Sequence, residues 1–197
     1  MKTMKLKTVF ILLIALGLSS AAFAETYKVD KTKSTVKWLG KKVTGQHNGT
    51  ISFSEGALQV ANGKPSGGEF VIDMNSIVDE DLTDATWNQK LVGHLKSDDF
   101  FGVEKFPTAK LVLTNVTAKG GNKYLFKGDL TIKGITHPAE FEASFSMSGN
   151  SVSAEGTLVI DRSKYDVRYG SGKFFDNLGD KTIYDDFTLD FKVVASK

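Results

Sequence analysis

Cysteine is absent from this sequence. That excludes disulfides, thiolate metal ligands, CxxC redox chemistry and thiol catalysis, so the fold must be held by core packing alone. Histidine is nearly as scarce. His47, His94 and His137 are the only ones, and they stand far apart with no H-x-H or H-x-x-x-H spacing. No histidine-based metal site is expected from such a pattern. There is no G-x-S-x-G elbow, and a Ser/His/Asp triad would have to be assembled by folding. Neither sign of charge is in excess, with 25 Lys and Arg against 23 Asp and Glu, so no electrostatic footprint for nucleic acid is present. No apolar run approaches the roughly 20 residues that a membrane span needs. Internal repeats, low-complexity tracts and signs of a second folded domain are also missing.

The amino-terminal segment has a character of its own. Lys2, Lys5 and Lys7 precede an apolar run over residues 9–18, broken only by Gly17, and small residues follow as far as Ala22-Phe23-Ala24. A basic start, a short apolar stretch and an A-x-A ending predict a secretory signal peptide over residues 1–24. No cysteine stands at the cleavage point, so lipid anchoring through one is excluded. The mature domain is then residues 25–197, one domain with room for a sizeable core. Its expected location is the periplasm, without a stable membrane anchor. The three leader lysines account for the small basic excess, and the mature chain is close to neutral.

What the chain has in abundance is alternation. Ala139, Phe141, Ala143, Phe145 and Met147 interleave with Glu140, Glu142, Ser144 and Ser146. Tyr124, Phe126, Leu130 and Ile132 do the same, as do Val152, Ala154, Leu158 and Ile160, and then Ile183, Phe187, Leu189, Phe191 and Val193. Weaker alternation joins Val36, Trp38 and Gly40, then Phe70, Ile72 and Met74, then Leu111 and Leu113. Period-2 patterning of this kind predicts strands with one buried and one wet face. Turn signals at Asn62-Gly63, Gly120-Gly121-Asn122 and Ser148-Gly149-Asn150 connect them as about eight antiparallel strands. One segment differs. Over residues 84–97, Leu91 and Leu95 are four apart with Trp87 one turn earlier, which predicts a short amphipathic helix capped by Asp84. Residues 98–107 and 165–182 lack strand character.

The expected fold class is therefore all-β: an extended antiparallel eight-stranded barrel with one short helix capping an end. Residues 139–147 would span about 30 Å at roughly 3.3 Å per residue, longer than ordinary sandwich strands. The inward positions mix large side chains with Gly40, Gly128, Gly134, Ala143, Ala154 and Gly156. Two readings stand side by side. Small inward residues can leave room for a ligand in a barrel of this size, or the glycines can serve only to bend strands at barrel corners. On the first reading the tunnel is lined by Trp38, Phe70, Ile72, Leu111, Leu113, Phe126, Leu130, Phe141, Ala143, Phe145, Leu158, Phe187, Leu189 and Phe191. Such a lining suits a hydrocarbon.

Two polar features remain. Asp79, Glu80, Asp81 and Asp84 form an acidic cluster, read as a solvated loop because Ca²⁺ binding asks for a better ligand set. Residues 161–180 place Arg168, Tyr169, Phe174 and Phe175 in a glycine-rich stretch. That stretch is either a long hairpin stapled by aromatics or a barrel mouth whose donors meet a ligand's head group.

Motifs along nearly the whole mature chain match one family. They are Tyr27-x-x-Asp30 with Ser34-x-Val36-x-Trp38, His47-x-Gly49-x-Ile51-x-Phe53, His94-Leu95-Lys96-Ser97-Asp98-Asp99-Phe100-Phe101, Phe106-Pro107, the Gly128-Asp129-Leu130-Thr131-Ile132-Lys133-Gly134-Ile135-Thr136 stretch, and Asp161-Arg162-Ser163. On these residues the chain resembles the YceI-like, polyisoprenoid-binding proteins. The resemblance implies a lipocalin-like barrel holding an apolar lipid partner, whether a polyisoprenoid, an isoprenoid quinone or a fatty-acyl amphiphile, with no cofactor and no metal. It implies a binding or carrier role in the periplasm. The insert at residues 171–180 is not common to the whole family, so the mouth is where this chain would differ. Two rivals are a filled-core barrel serving as an interaction module in envelope stress and an enzyme on lipid head groups using His94 or Asp166. Nucleic acid is not an expected partner, and the oligomeric state is open, a dimer included. Exported protein is expected to begin at Glu25; an intact mass that retains the leader would overturn the assignment of compartment.

Overall fold

Strict alternation becomes long strands. The computed structural model describes residues 24–197, so the predicted leader lies, Ala24 excepted, outside the described residues. The strands are β1 (Glu25–Val29), β2 (Thr35–Lys42), β3 (Gly45–Ala61), β4 (Lys64–Asp79), β5 (Thr108–Gly120), β6 (Lys123–Ile132), β7 (Ile135–Ser148), β8 (Ser151–Asp161) and β9 (Ile183–Ser196), with one helix, α1 (Ala85–Lys96), between β4 and β5. Every neighbouring pair from β2 round to β9 is antiparallel, and β2 then pairs with β9 to close an eight-stranded barrel. Fold class, antiparallel order and the single short helix are as the sequence predicts.

The ninth strand is not an extra stave. β1 and β2 both lie between β3 and β9, with Tyr27 opposite Leu58, Val36 opposite Ile51, and both strands also paired to β9. They occupy one position in the barrel, interrupted at Asp30. There the Asp30 carboxylate accepts from the Thr32 N–H (3.0 Å) and hydroxyl (2.6 Å), a side-chain turn that competes with the ladder. Ser34 repairs the seam, its Oγ accepting from the Val194 N–H at 2.9 Å.

Two hairpins turn on pairs of residues with positive φ, Asn62 and Gly63 (53° and 72°) and Lys133 and Gly134 (50° and 73°). That is the tight hairpin geometry matched to strand twist. The first pair was legible as Asn-Gly, and the second carries a lysine where asparagine is usual. On the outer face, directly opposed pairs such as Lys127–Glu140 (2.7 Å) and Glu155–Lys192 (2.9 Å) add little stability, about 0–1 kcal/mol each, and serve solubility.

The two ends of the barrel differ. At the end formed by the β3–β4, β5–β6 and β7–β8 hairpins, Tyr27, Leu58, Val60, Tyr124, Phe145, Val152 and Ala195 pack into a buried cluster. At the opposite end stand α1, residues 98–107 and the β8–β9 connection. Asp84 caps α1 through its carboxylate, which accepts from the Thr86 and Trp87 N–H groups at 2.9 and 3.0 Å. Leu91 and Leu95 face the barrel interior. Trp87, placed on the same stripe by spacing, is instead 61% exposed, its ring covered by the Lys90 ammonium at 4.4 Å.

Phe145 packs edge-on against Tyr124 with ring centroids 6.0 Å apart, in the closed end. Phe145→Ala is expected to lower unfolding free energy by about 3–5 kcal/mol, measured by urea denaturation. A loss below about 1 kcal/mol would show that this end is not tightly packed.

Candidate functional site

The centre of the barrel is hollow. A cavity of about 260 Å³ runs between the closed end and the α1 end. His47 and Leu58 on β3 both line it, a separation of roughly 28 Å along the axis at ordinary rise and strand tilt. The space is therefore a slender tube. Trp38 and Gly40 line it from β2, Phe70 and Ile72 from β4, Leu111 and Leu113 from β5, and Phe126 and Leu130 from β6. Phe141 and Ala143 follow from β7, Leu158 from β8, and Phe187, Leu189 and Phe191 from β9. Of the residues named for the tunnel, only Phe145 stands outside the lining, because it belongs to the closed end.

The glycines did not leave the space in the way their parity suggested. A Cβ on Gly128 would stand 2.4 Å from the Val112 carbonyl oxygen, and one on Gly156 would stand 2.7 Å from that of Glu142. Those two let strands approach closely. Gly134 sits in a hairpin turn. Gly40 alone among these inward glycines faces open space, with nothing within 4 Å of a Cβ built there.

The lid over the open end comes from residues that spacing only half revealed. Leu91 and Leu95 of α1 and then Phe100 and Phe101 line the cavity, and Phe101 meets Phe187 edge-on at 6.2 Å. Behind them, His94 lies between Phe100 (4.9 Å) and Tyr169 (4.4 Å), both edge-on. This placement packs the His94 ring between aromatics. The four candidate mouth residues fall on the β8–β9 connection but do not line the cavity. Tyr169 braces the lid from behind, Arg168 lies over the Phe174 ring at 5.0 Å, and Phe174 and Phe175 are exposed. At this end the rim of the cavity is lined by Lys41, Lys42, Gln46 and His47 at the β2–β3 tip and by Tyr184 at the start of β9. A register irregularity where β2 meets β9, between Gly40 and Lys42, produces this rim, a usual place for bulges to re-aim side chains.

One buried cation holds the rim together. The Arg162 side chain, 4% exposed, donates from Nη1 to the Val167 carbonyl (2.9 Å), from Nη2 to that of Ile183 (3.0 Å) and from Nε to that of Tyr184 (3.1 Å). Asp185 lies 3.6 Å from Nη2. Burial pushes the guanidinium pKa down while Asp185 and Asp161 oppose it, and arginine stays charged throughout. Asp161 caps the following turn by accepting from the Ser163 N–H (3.0 Å), and it also holds Lys173 at 2.7 Å.

A second polar cluster was not visible from spacing. The pairing of Gly49 with Asp79 carries His47 against the acidic run, where His47 Nδ1 is 2.9 Å from Asp81 Oδ2. Asp79 is buried, so the acidic cluster is not simply a solvated loop. Burial, together with the Asp81 carboxylate, pushes the Asp79 carboxyl above the usual range. Asp81 is shifted the other way, because the Asn48 N–H and His47 outweigh the burial that opposes them.

The YceI-like domain profile matches residues 27–195. The chain belongs to the YceI-like family. Related proteins of the group called UPF0312 include one from Pseudomonas putida, 31% identical over 153 residues and 74% of its length, which covers 73% of this chain. Another, from Vibrio parahaemolyticus, is 31% identical over 175 residues, covering 84% of this chain and 90% of its own. Burkholderia cenocepacia BcnA is similar in structure, with a TM-score of 0.69 at 27% identity, covering 85% of this chain and 99% of that one. A polyisoprenoid binding domain from Saccharophagus degradans shares the fold, with a TM-score of 0.61 at 17% identity over 86% of this chain and 97% of its own. In this YceI-like barrel the central motif forms the lid, with Leu95, Phe100 and Phe101 on the cavity and His94 behind them. The Asp161-Arg162-Ser163 motif forms the rim clamp.

Arg162→Met is expected to destabilise the fold by about 3–5 kcal/mol, because three carbonyls lose their donor and Asp185 its counter-charge inside the protein. Urea unfolding at neutral pH measures it. A change under about 1 kcal/mol would show that the clamp carries no weight.

Proposed function

We propose that this protein is a binding or carrier protein that holds a long apolar lipid inside the barrel. The observation that carries the reading is the lining, in which every stave contributes apolar side chains to one continuous tube. Water in such a tube finds no polar partners along its length, so an alkyl or isoprenoid chain is the favoured occupant. Burial stabilises such a ligand by roughly 0.8 kcal/mol per CH₂, before the cost of ordering the chain. Affinity then grows with chain length and needs little polar recognition. A polyisoprenoid, an isoprenoid quinone or a fatty-acyl amphiphile meets this requirement. The kinship with a polyisoprenoid binding domain in fold favours the first.

The leader features of residues 1–24 support a periplasmic setting, and among the described residues no helix is long and apolar enough to cross a membrane. The two groups suggested for catalysis are engaged otherwise. His94 packs against the rings of Phe100 and Tyr169 with its Nε2 3.3 Å from the Asp99 carboxylate, and Asp166 pairs with Arg168 in a left-handed turn. A binding role accounts for both without a reaction.

The test uses Gly40, the one inward glycine with space before it. Nothing stands within 4 Å of a Cβ built at Gly40, so Gly40→Trp is expected to put its ring into the cavity with thermal stability near wild type. Lipid recovered in an organic extract and quantified by mass spectrometry should fall at least tenfold. Equal lipid in both proteins, or none in wild type after expression and export in cells, would refute the carrier reading.

A further inference from the structure

Between the β2–β3 tip and the loop leading to α1, His47 meets Asp79 and Asp81 from a distant part of the chain. Asp79 Oδ1 accepts from the Leu82 N–H at 2.9 Å and from Asn88 Nδ2 at 3.1 Å. Its other oxygen, Oδ2, is shut off from solvent and has no hydrogen-bond partner among the described residues. The residue as a whole is only 4% exposed. Asp81 Oδ1 accepts from the Asn48 N–H at 2.8 Å, and its Oδ2 lies 2.9 Å from His47 Nδ1. One ligating atom from each of His47, Asp79 and Asp81 falls within 4.8 Å of the others.

We infer that His47, Asp79 and Asp81 form a site for one divalent transition-metal ion, with Zn²⁺ the ion best suited to it. A buried carboxylate oxygen without a donor is costly, and a second carboxylate close by makes it more so. A cation among the three groups removes both costs. The donor set selects the metal. An imidazole nitrogen with two carboxylates suits zinc or its neighbours in the first transition row, whereas Ca²⁺ asks for six to eight oxygens. Ligands on tetrahedral Zn²⁺ at about 2.0–2.1 Å stand roughly 3.4 Å apart, so the cluster closes with side-chain shifts of about an ångström. His47 and Asp81 are partly exposed and free to make them. The outer contacts are already in place. The Leu82 and Asn48 N–H groups and the Asn88 amide orient the carboxylates, as outer partners of a metal site do. Asn88 belongs to α1 and also donates to the Asp79 and Leu82 carbonyls, so the ion would fasten the helix-bearing loop to β3. This inference does not depend on what the tube holds.

The rival account is a proton held between Asp79 and Asp81. An acid whose folded pKa is raised costs the fold stability as the pH climbs above the ordinary carboxylate value, in full once it passes the folded pKa, so on this account Asp79→Asn stabilises the metal-free protein near neutrality. The experiment takes mature protein stripped with a chelator, titrates it with ZnCl₂ by calorimetry near pH 7.5, and follows thermal unfolding alongside. Expected are one equivalent of Zn²⁺ per chain, a raised Tm, and at least tenfold weaker binding in both Asp79→Asn and His47→Gln, with His137→Gln unchanged. Absence of saturable binding in wild type, or unchanged affinity in His47→Gln, overturns the inference. So does a more stable Asp79→Asn protein beside a wild type that takes up no zinc. Should Asp79→Asn fail to fold, His47→Gln, at a partly exposed position, decides the matter alone.

Discussion

The architecture depends on the seam where two short strands share one stave. Without β1 and β2 between them, β3 and β9 would be long open edges, the commonest route to edge-to-edge association. The chain has no disulfide to hold a sheet shut, so closure rests on the β2 and β1 ladders and on Ser34 bridging the break at Val194. Closure also sets the bore. Eight tilted staves enclose a space that side chains can nearly fill, and here they fill one end and leave the middle empty.

The parts of the fold legible in the sequence are those governed by a period. Alternation placed Phe126, Phe141, Leu158 and Phe191 on the inner face because consecutive strand side chains must point to opposite sides, and Asp84 marked the start of α1 because a helix end needs an acceptor. Properties that depend on register or on neighbours were not legible. Gly40 and Gly128 look alike in the sequence, yet one fronts open space and the other another strand's carbonyl. Phe145 shares its parity with Phe141 but lies beyond the end of the tube. His47 reaches Asp79 and Asp81 only through a β3–β4 ladder with several register shifts, which no local pattern records. Arg168, Tyr169, Phe174 and Phe175 stand out in the sequence by aromatic and basic character, while the residues lining the cavity at the α1 end follow a bulge opposite Gly40 and Lys42 that spacing does not reveal.

Strain and packing are distributed unequally along the barrel axis. The closed end is a dry cluster of large side chains. Among the described residues, the two buried carboxylate oxygens without hydrogen-bond partners, on Asp79 and Asp185, both lie at the other end. Local opening takes the least stable region first, and the end with these unpartnered oxygens is the one expected to open before the packed one. The lid is also where polar and apolar layers meet most closely, with His94 and Tyr169 backing the phenylalanines that face the tube.

The tight packing around Tyr27, Phe145 and Val152 has a kinetic consequence. On the proposed function, a tube packed at one end leaves a single doorway, so an apolar chain would leave by backing out along the path it took in. Each methylene withdrawn re-exposes surface worth about 0.8 kcal/mol, close to a fourfold change in rate at room temperature. Dwell time on that reading would rise geometrically with the length of the guest, so the barrel would act as a clock that runs slower for longer chains.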